Sequence, residues 1–213
     1  MANIIFILVC FAASLTNYLN KNAPLYLKLF PLFLLTEVVC EYTGLMIARR
    51  HHSNVFLYNM LTVMEFGFFY FFFYSVYRGA LVKKIVAIIT ILYLAGTLFN
   101  IFFIQGRHVF HTYSFMVGCL LVIAGSIYYF LQMFRYPQPG SILREPAFWI
   151  TAGLLFYYAC VLPIYGVLNY IASISPRINH TLAMILNLMV YILYSLFTLA
   201  FLCKVNFRKY TSS

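Results

Sequence analysis

Seven stretches of roughly 20 predominantly apolar residues follow one another along this chain, separated by short polar or basic breaks, and that pattern constrains the fold more than anything else. An α-helix rises 1.5 Å per residue, so about 20 residues cross a hydrocarbon core of about 30 Å. With 64% hydrophobic and only 8% charged residues among 213, a soluble domain could not hide the apolar surface, because folded domains of this size leave much of it exposed. Inside lipid the backbone must satisfy its own hydrogen bonds, which selects helices. The reading is an all-α polytopic transmembrane bundle forming a single domain over residues 1–213. Its seven helices are expected at about residues 2–19, 26–47, 54–77, 85–104, 111–134, 148–170 and 178–203. The opening MANIIFILVCFAASLTNYL lacks the basic leading segment of a secretory signal, and Val9 before Cys10 does not suit a lipoprotein cleavage site. It is read as a retained first helix. The helices use nearly all of the chain, and no soluble output module is expected.

The net charge of +10 would suggest nucleic acid on a soluble protein. Here the basic residues sit in loops between apolar segments, where they set orientation and meet anionic headgroups, so a nucleic-acid partner is excluded. One side carries Lys21, Lys28, Arg78, Lys83, Lys84, Arg135, Arg144, Lys204, Arg208 and Lys209; the other carries Arg49, Arg50, Arg107 and Arg177. The richer side belongs in the cytoplasm. The expectation is an N-terminus outside, a C-terminus in the cytoplasm, and residence in a bacterial inner membrane. Trp149, Tyr26, Tyr77 and Tyr136 fall near the expected interfaces. The five cysteines are isolated within apolar segments, with no CxxC pair, and read as small packing residues.

Three of the four acidic residues fall inside helices: Glu37 and Glu41 in the second, Glu65 in the third. A carboxylate at the bilayer centre costs about 2.5–3.5 kcal/mol even on the lenient insertion scale, so these side chains should face the interior. Glu37 and Glu41 are four apart and share a helix face, with Glu41 about 6 Å nearer the outside. Adjacent antiparallel helices would bring all three together, with at least one carrying its proton and able to donate a hydrogen bond to a ligand or relay protons. The competing structural reading is polar glue between helices, with Asn59, Thr62, Thr43 and tyrosines as partners. Asn59 and Asn187, at comparable depth in the third and seventh helices, hint at a three-plus-one-plus-three repeat. Asn100, Asn169 and Asn187 read as helix-to-helix hydrogen bonders.

All five histidines fall on the expected outer side, and His111 and His180 are the two placed inside helix ends. With Glu41 they are weak candidates for a metal site, but there is no HxxxH or HExxH spacing. No metal or cofactor is expected.

The seven-helix, N-outside plan resembles rhodopsin-like proteins, but the last helix, from Ile178 to Cys203, lacks the lysine that retinal attachment needs. It also resembles the intramembrane hydrolases related to alkaline ceramidases, whose HxxxH is missing here. The Pro-Gln pair of the three-plus-three sugar transporters occurs only in a loop, at Pro137-Gln138. The stretch around Asn59 and Glu65, the run from Phe99 to Gly106 (FNIFFIQG), and Phe148-Trp149-Ile150 resemble uncharacterised small multi-pass bacterial membrane proteins and the seven-helix sensor modules of histidine kinases. That resemblance implies a sensory or accessory role, with the signal passed to a partner.

The leading expectation is therefore a non-enzymatic seven-helix membrane module binding a small or lipidic ligand, or a membrane partner. Its candidate ligand-binding or proton-relay residues are Glu37, Glu41, Glu65, Asn59 and Asn187. Its partners are membrane lipids and a membrane or cytoplasmic protein. The alternative is a small, proton-coupled transporter, and the third reading is a metal-assisted intramembrane lipid hydrolase. The charge asymmetry makes a direct prediction: a reporter fused after Ser213 reports a cytoplasmic location, and a tag in the loop at residues 49–54 is reached from outside. An externally accessible C-terminus overturns the orientation.

Overall fold

The computed structural model describes residues 2–19, 23–136, 141–171 and 176–203. Lys21, Pro137, Gln138, Lys204, Arg208 and Lys209, used in the readings above, lie outside the described residues, as do the side chains of Asn169 and Arg177. Seven α-helices and no strand occur among the described residues. They are α1 (Ala2–Ser14), α2 (Leu25–Arg49), α3 (Val55–Val76), α4 (Ala80–Phe99), α5 (Thr112–Arg135), α6 (Pro146–Ile171) and α7 (Pro176–Leu202). The last six are long and apolar enough to cross a membrane.

The first helix reaches a similar length by another route. After Ser14 it tightens into a 3-10 segment, Leu15–Leu19. Three polar side chains favour that tightening by bonding back three residues: Ser14 to the Phe11 carbonyl (2.6 Å), Thr16 to Ala13 (2.7 Å) and Asn17 to Ser14 (2.9 Å). The 3-10 rise of about 2.0 Å per residue brings α1 and its extension to about 30 Å, a bilayer's hydrocarbon thickness.

Three helices begin earlier than the apolar pattern alone suggests. α6 and α7 each start on a proline, Pro146 and Pro176, since proline at the first helical position loses no bond the helix would have made. α4 starts at Ala80, directly after Gly79, whose φ of 92° turns the chain sharply out of α3. Lys83 and Lys84 thus lie on the first turns of α4, where a sequence reading of Arg78–Lys84 gives a basic turn. At its far end α4 widens into a π-helical stretch, Asn100–Ile104.

The described chain divides into two compact units. One comprises α1, residues 119–135 of α5, α6 and α7; the other comprises α2, α3, α4 and α5 up to Gly118. In the first, α7 packs against both α6 and α1. Phe6 stacks on Tyr191 at 4.5 Å, and Gly153 lets Leu193 and Phe197 close on α6.

In the second unit α3 packs against both α2 and α4. Its aromatic run, Phe66 to Tyr74, supplies the contacts. Phe68 stacks on Phe33 at 4.4 Å and meets Phe30 edge-on at 5.0 Å, while Phe66 and Tyr70 meet Tyr93 of α4 at 5.6 and 5.2 Å. Gly118 permits the approach of α5: a β-carbon there would stand 2.5 Å from the Tyr93 hydroxyl and 2.7 Å from the Phe66 ring.

Candidate functional site: the polar interior of α2 to α5

Most hydroxyls in these helices satisfy themselves. Thr36, Thr43, Thr62, Ser75 and Thr90 each donate to the carbonyl four residues back, the usual fate of serine and threonine in lipid-facing helices. Thr43 and Thr62 therefore do not serve the glutamates as donors. The side chains left over mark two places, on different faces of α3.

The first lies between α2 and α3. Glu37 stands at the middle of α2 and is 5% exposed, with Glu41 and Glu65 half-buried. Glu37 is within electrostatic range of both Glu41 and Glu65, so the structure brings the three intramembrane acids together. Gly44 lies beside them. A β-carbon there would sit 2.6 Å from the Tyr58 hydroxyl, so the glycine leaves room for the Tyr58 ring against α2. The hydroxyl then donates to Glu41 Oε2 at 3.5 Å, the outer limit of a hydrogen bond. Asn54 secures the same hairpin by donating to the Gly44 carbonyl at 3.2 Å. Glu37 Oε1 is buried with no hydrogen-bond partner. A carboxyl oxygen in that state is costly in a low-dielectric interior.

The second place is on another face of α3. Asn59 is fully buried, and its amide brackets the end of the loop before α5: Nδ2 donates to the Val109 carbonyl at 3.0 Å, and Oδ1 accepts from the His111 N–H at 3.3 Å. His111 is fully buried and just precedes α5, whose first turn closes on its carbonyl through the Phe115 N–H at 3.0 Å. Burial lowers its pKa from 6.5 to about 4, so the imidazole is neutral. Asn100, at the start of the π stretch, donates through Nδ2 to Gln105 Oε1 at 2.7 Å and to Ser114 Oγ at 2.8 Å. It is a helix-to-helix hydrogen bonder, as its sequence position suggests. Tyr93 adds a bond from its hydroxyl to the Ser114 carbonyl at 3.1 Å.

The named candidates therefore separate. Glu37, Glu41 and Glu65 converge; Asn59 is turned to the loop before α5 and holds it. Asn187 belongs to the other unit, is exposed, and accepts from Asn3 Nδ2 at 3.0 Å, linking α7 to α1. Their similar sequence depth conceals different work: one asparagine is buried and bonds two backbone groups of a loop, the other is exposed and has a single side-chain partner. His180 is exposed on α7, and among the described residues no three His, Cys, Asp or Glu side chains are grouped to hold a metal ion. Tyr58 and Gly44 went unnoticed in the sequence because nothing local marks them; their role comes from the crossing of α2 and α3. The cleft of about 370 Å³ between α1 and α7, lined by Ile5, Phe6, Val9, Ser195, Thr198 and Leu199, is apolar in effect. Its two hydroxyls are bonded back to Tyr191 and Tyr194.

Compared with protein-family models, with curated proteins and with solved structures, the chain matches none.

The contrast between the two asparagines is testable. Asn59→Ala leaves the buried His111 N–H without a partner and removes the bond to the Val109 carbonyl, and should destabilise the protein by about 1–3 kcal/mol, whereas Asn187→Ala should change stability by about 0.5 kcal/mol or less. Denaturation of the purified variants in one detergent checks this; equal losses would show that the bracket contributes nothing special.

Proposed function

We propose that this chain is a non-enzymatic membrane module that binds a small or lipidic ligand through the carboxyl groups of α2 and α3, in a sensory or accessory role. The observation that carries this reading is Glu37: central on a membrane-length helix, buried, close to two further acids, and with one oxygen lacking a partner. A group held in that way at the bilayer's depth is costly to the fold, and a ligand that hydrogen-bonds to it offsets the cost. Glu37 is the binding group, Glu41 and Glu65 set the local field, and Tyr58 orients Glu41. The excess of basic residues on one side supports a cytoplasmic C-terminus and a bacterial inner-membrane location, and the signal passes to a membrane or cytoplasmic protein partner.

The same acids would serve a proton-coupled transporter, and one substitution separates the two. Glu37→Gln keeps the shape and a hydrogen-bond donor but cannot ionise. For a binding module, native mass spectrometry of the protein in mild detergent should find a co-purifying small molecule in the wild type, retained in Glu37→Gln and reduced about tenfold or more in Glu37→Ala, the loss of one good hydrogen bond. Proteoliposomes showing solute flux that Glu37→Gln abolishes would replace this reading with the transporter. Stoichiometric zinc that depends on His111 or His180 would replace it with the hydrolase.

A further inference from the structure

Three buried side chains around the start of α5 carry polar atoms with no partner: Thr97 Oγ1, Asn100 Oδ1, and both ring nitrogens of His111. They are 1%, 5% and 0% exposed. Thr97 is the exception on its own helix, since Thr90 of α4 bonds back to Val86 at 2.7 Å. Thr97 and Asn100 are three apart and share the face of α4 that carries Tyr93. That face meets Ser114, through the Asn100 and Tyr93 bonds. His111, the residue before α5, lies one turn ahead of Ser114. The three residues therefore lie where α4 meets the beginning of α5.

Their chemistry is fixed by backbone groups that cannot be turned round. The Tyr113 N–H donates to Gln105 at 3.3 Å, so the atom there must be Oε1, and Gln105 Nε2 points to the Phe110 carbonyl at 3.5 Å. Gln105 Oε1 in turn requires an N–H from Asn100, which sets Asn100 Nδ2 towards it. Asn100 Oδ1 is left as a pure acceptor. A neutral imidazole offers one donor nitrogen and one acceptor nitrogen, and the Thr97 hydroxyl offers both. A partner for this set must be small, uncharged, and able to donate and accept at once. Water is that molecule; a buried water typically makes about three hydrogen bonds to otherwise unsatisfied groups.

The geometry points to a buried water-binding site formed by Thr97, Asn100 and His111, behind the loop at residues 105–111 that Asn59 and Gln105 fasten. The site is built from residues other than those of the carboxylate cluster, and it hydrates the junction where the π stretch ends α4.

Thr97→Val tests the site by the sign of its effect in the full-length protein in detergent. Valine keeps the shape and removes the hydroxyl. If water is bound there, the change deprives it of a partner and the melting temperature should fall by about 2 °C or more; if Thr97 Oγ1 is a true orphan, removing it should leave the melting temperature unchanged or raise it, and the proposal fails. A second measurement needs no variant. With histidine labelled in its ring nitrogens, the wild-type His111 N–H should show magnetisation transfer with the water resonance. Transfer to acyl-chain or aromatic protons with none to water overturns the site.

Discussion

In a hydrocarbon solvent no water waits outside to satisfy a polar group, so each one has to find its partner within the chain or be left exposed to a cost of several kcal/mol. The rest of this structure depends on that constraint. It makes the hydroxyls of Thr36, Thr43, Thr62 and Thr90 turn back on their own helices. It also makes Asn59 bridge to the carbonyl of Val109 and the N–H of His111, two backbone groups in a loop some fifty residues away in sequence. The same rule tightens the end of the first helix, where Ser14, Thr16 and Asn17 bond inward and the helix becomes 3-10.

Where the rule is broken, function is the place to look. Glu37 Oε1 is one such break, and the orphaned atoms of Thr97, Asn100 and His111 are another. The two differ in kind. Around Glu37 the surplus is of carboxyl groups, Glu41 on the same helix and Glu65 on α3. Around His111 the groups are neutral, because burial holds the imidazole unprotonated down to about pH 4. One is suited to a ligand that brings a hydrogen bond to a carboxyl group, the other to a small neutral molecule. α3 serves both, with Tyr58 and Glu65 on the α2 side and Asn59 and Phe66 on the side of α4 and α5.

The helices were legible in the sequence because lipid imposes both their length and their apolar composition, and all seven stretches correspond to observed α-helices. The acid cluster was legible as well: a spacing of four on α2 and a short turn into α3 leave little freedom for Glu37, Glu41 and Glu65 to avoid one another. What was not legible depends on crossings between helices. Gly44 is one small residue among many until Tyr58 lies on it, and the different partners of Asn59 and Asn187 depend on faces that depth along a helix does not reveal. The π stretch at Asn100–Ile104 carries no composition that distinguishes it from an ordinary helix end. Its consequence, the linked amides of Asn100 and Gln105, emerges only once α5 is in place.

The claim on which the account turns is that the carboxyl groups of α2 face protein and not lipid. A density map of the protein in a lipid bilayer, at a resolution that shows side chains, tests it most directly. The account predicts Glu37 and Glu41 turned towards α3, the Tyr58 hydroxyl at Glu41, and additional density against Glu37 Oε1. Glu37 and Glu41 both directed into the acyl chains would contradict it.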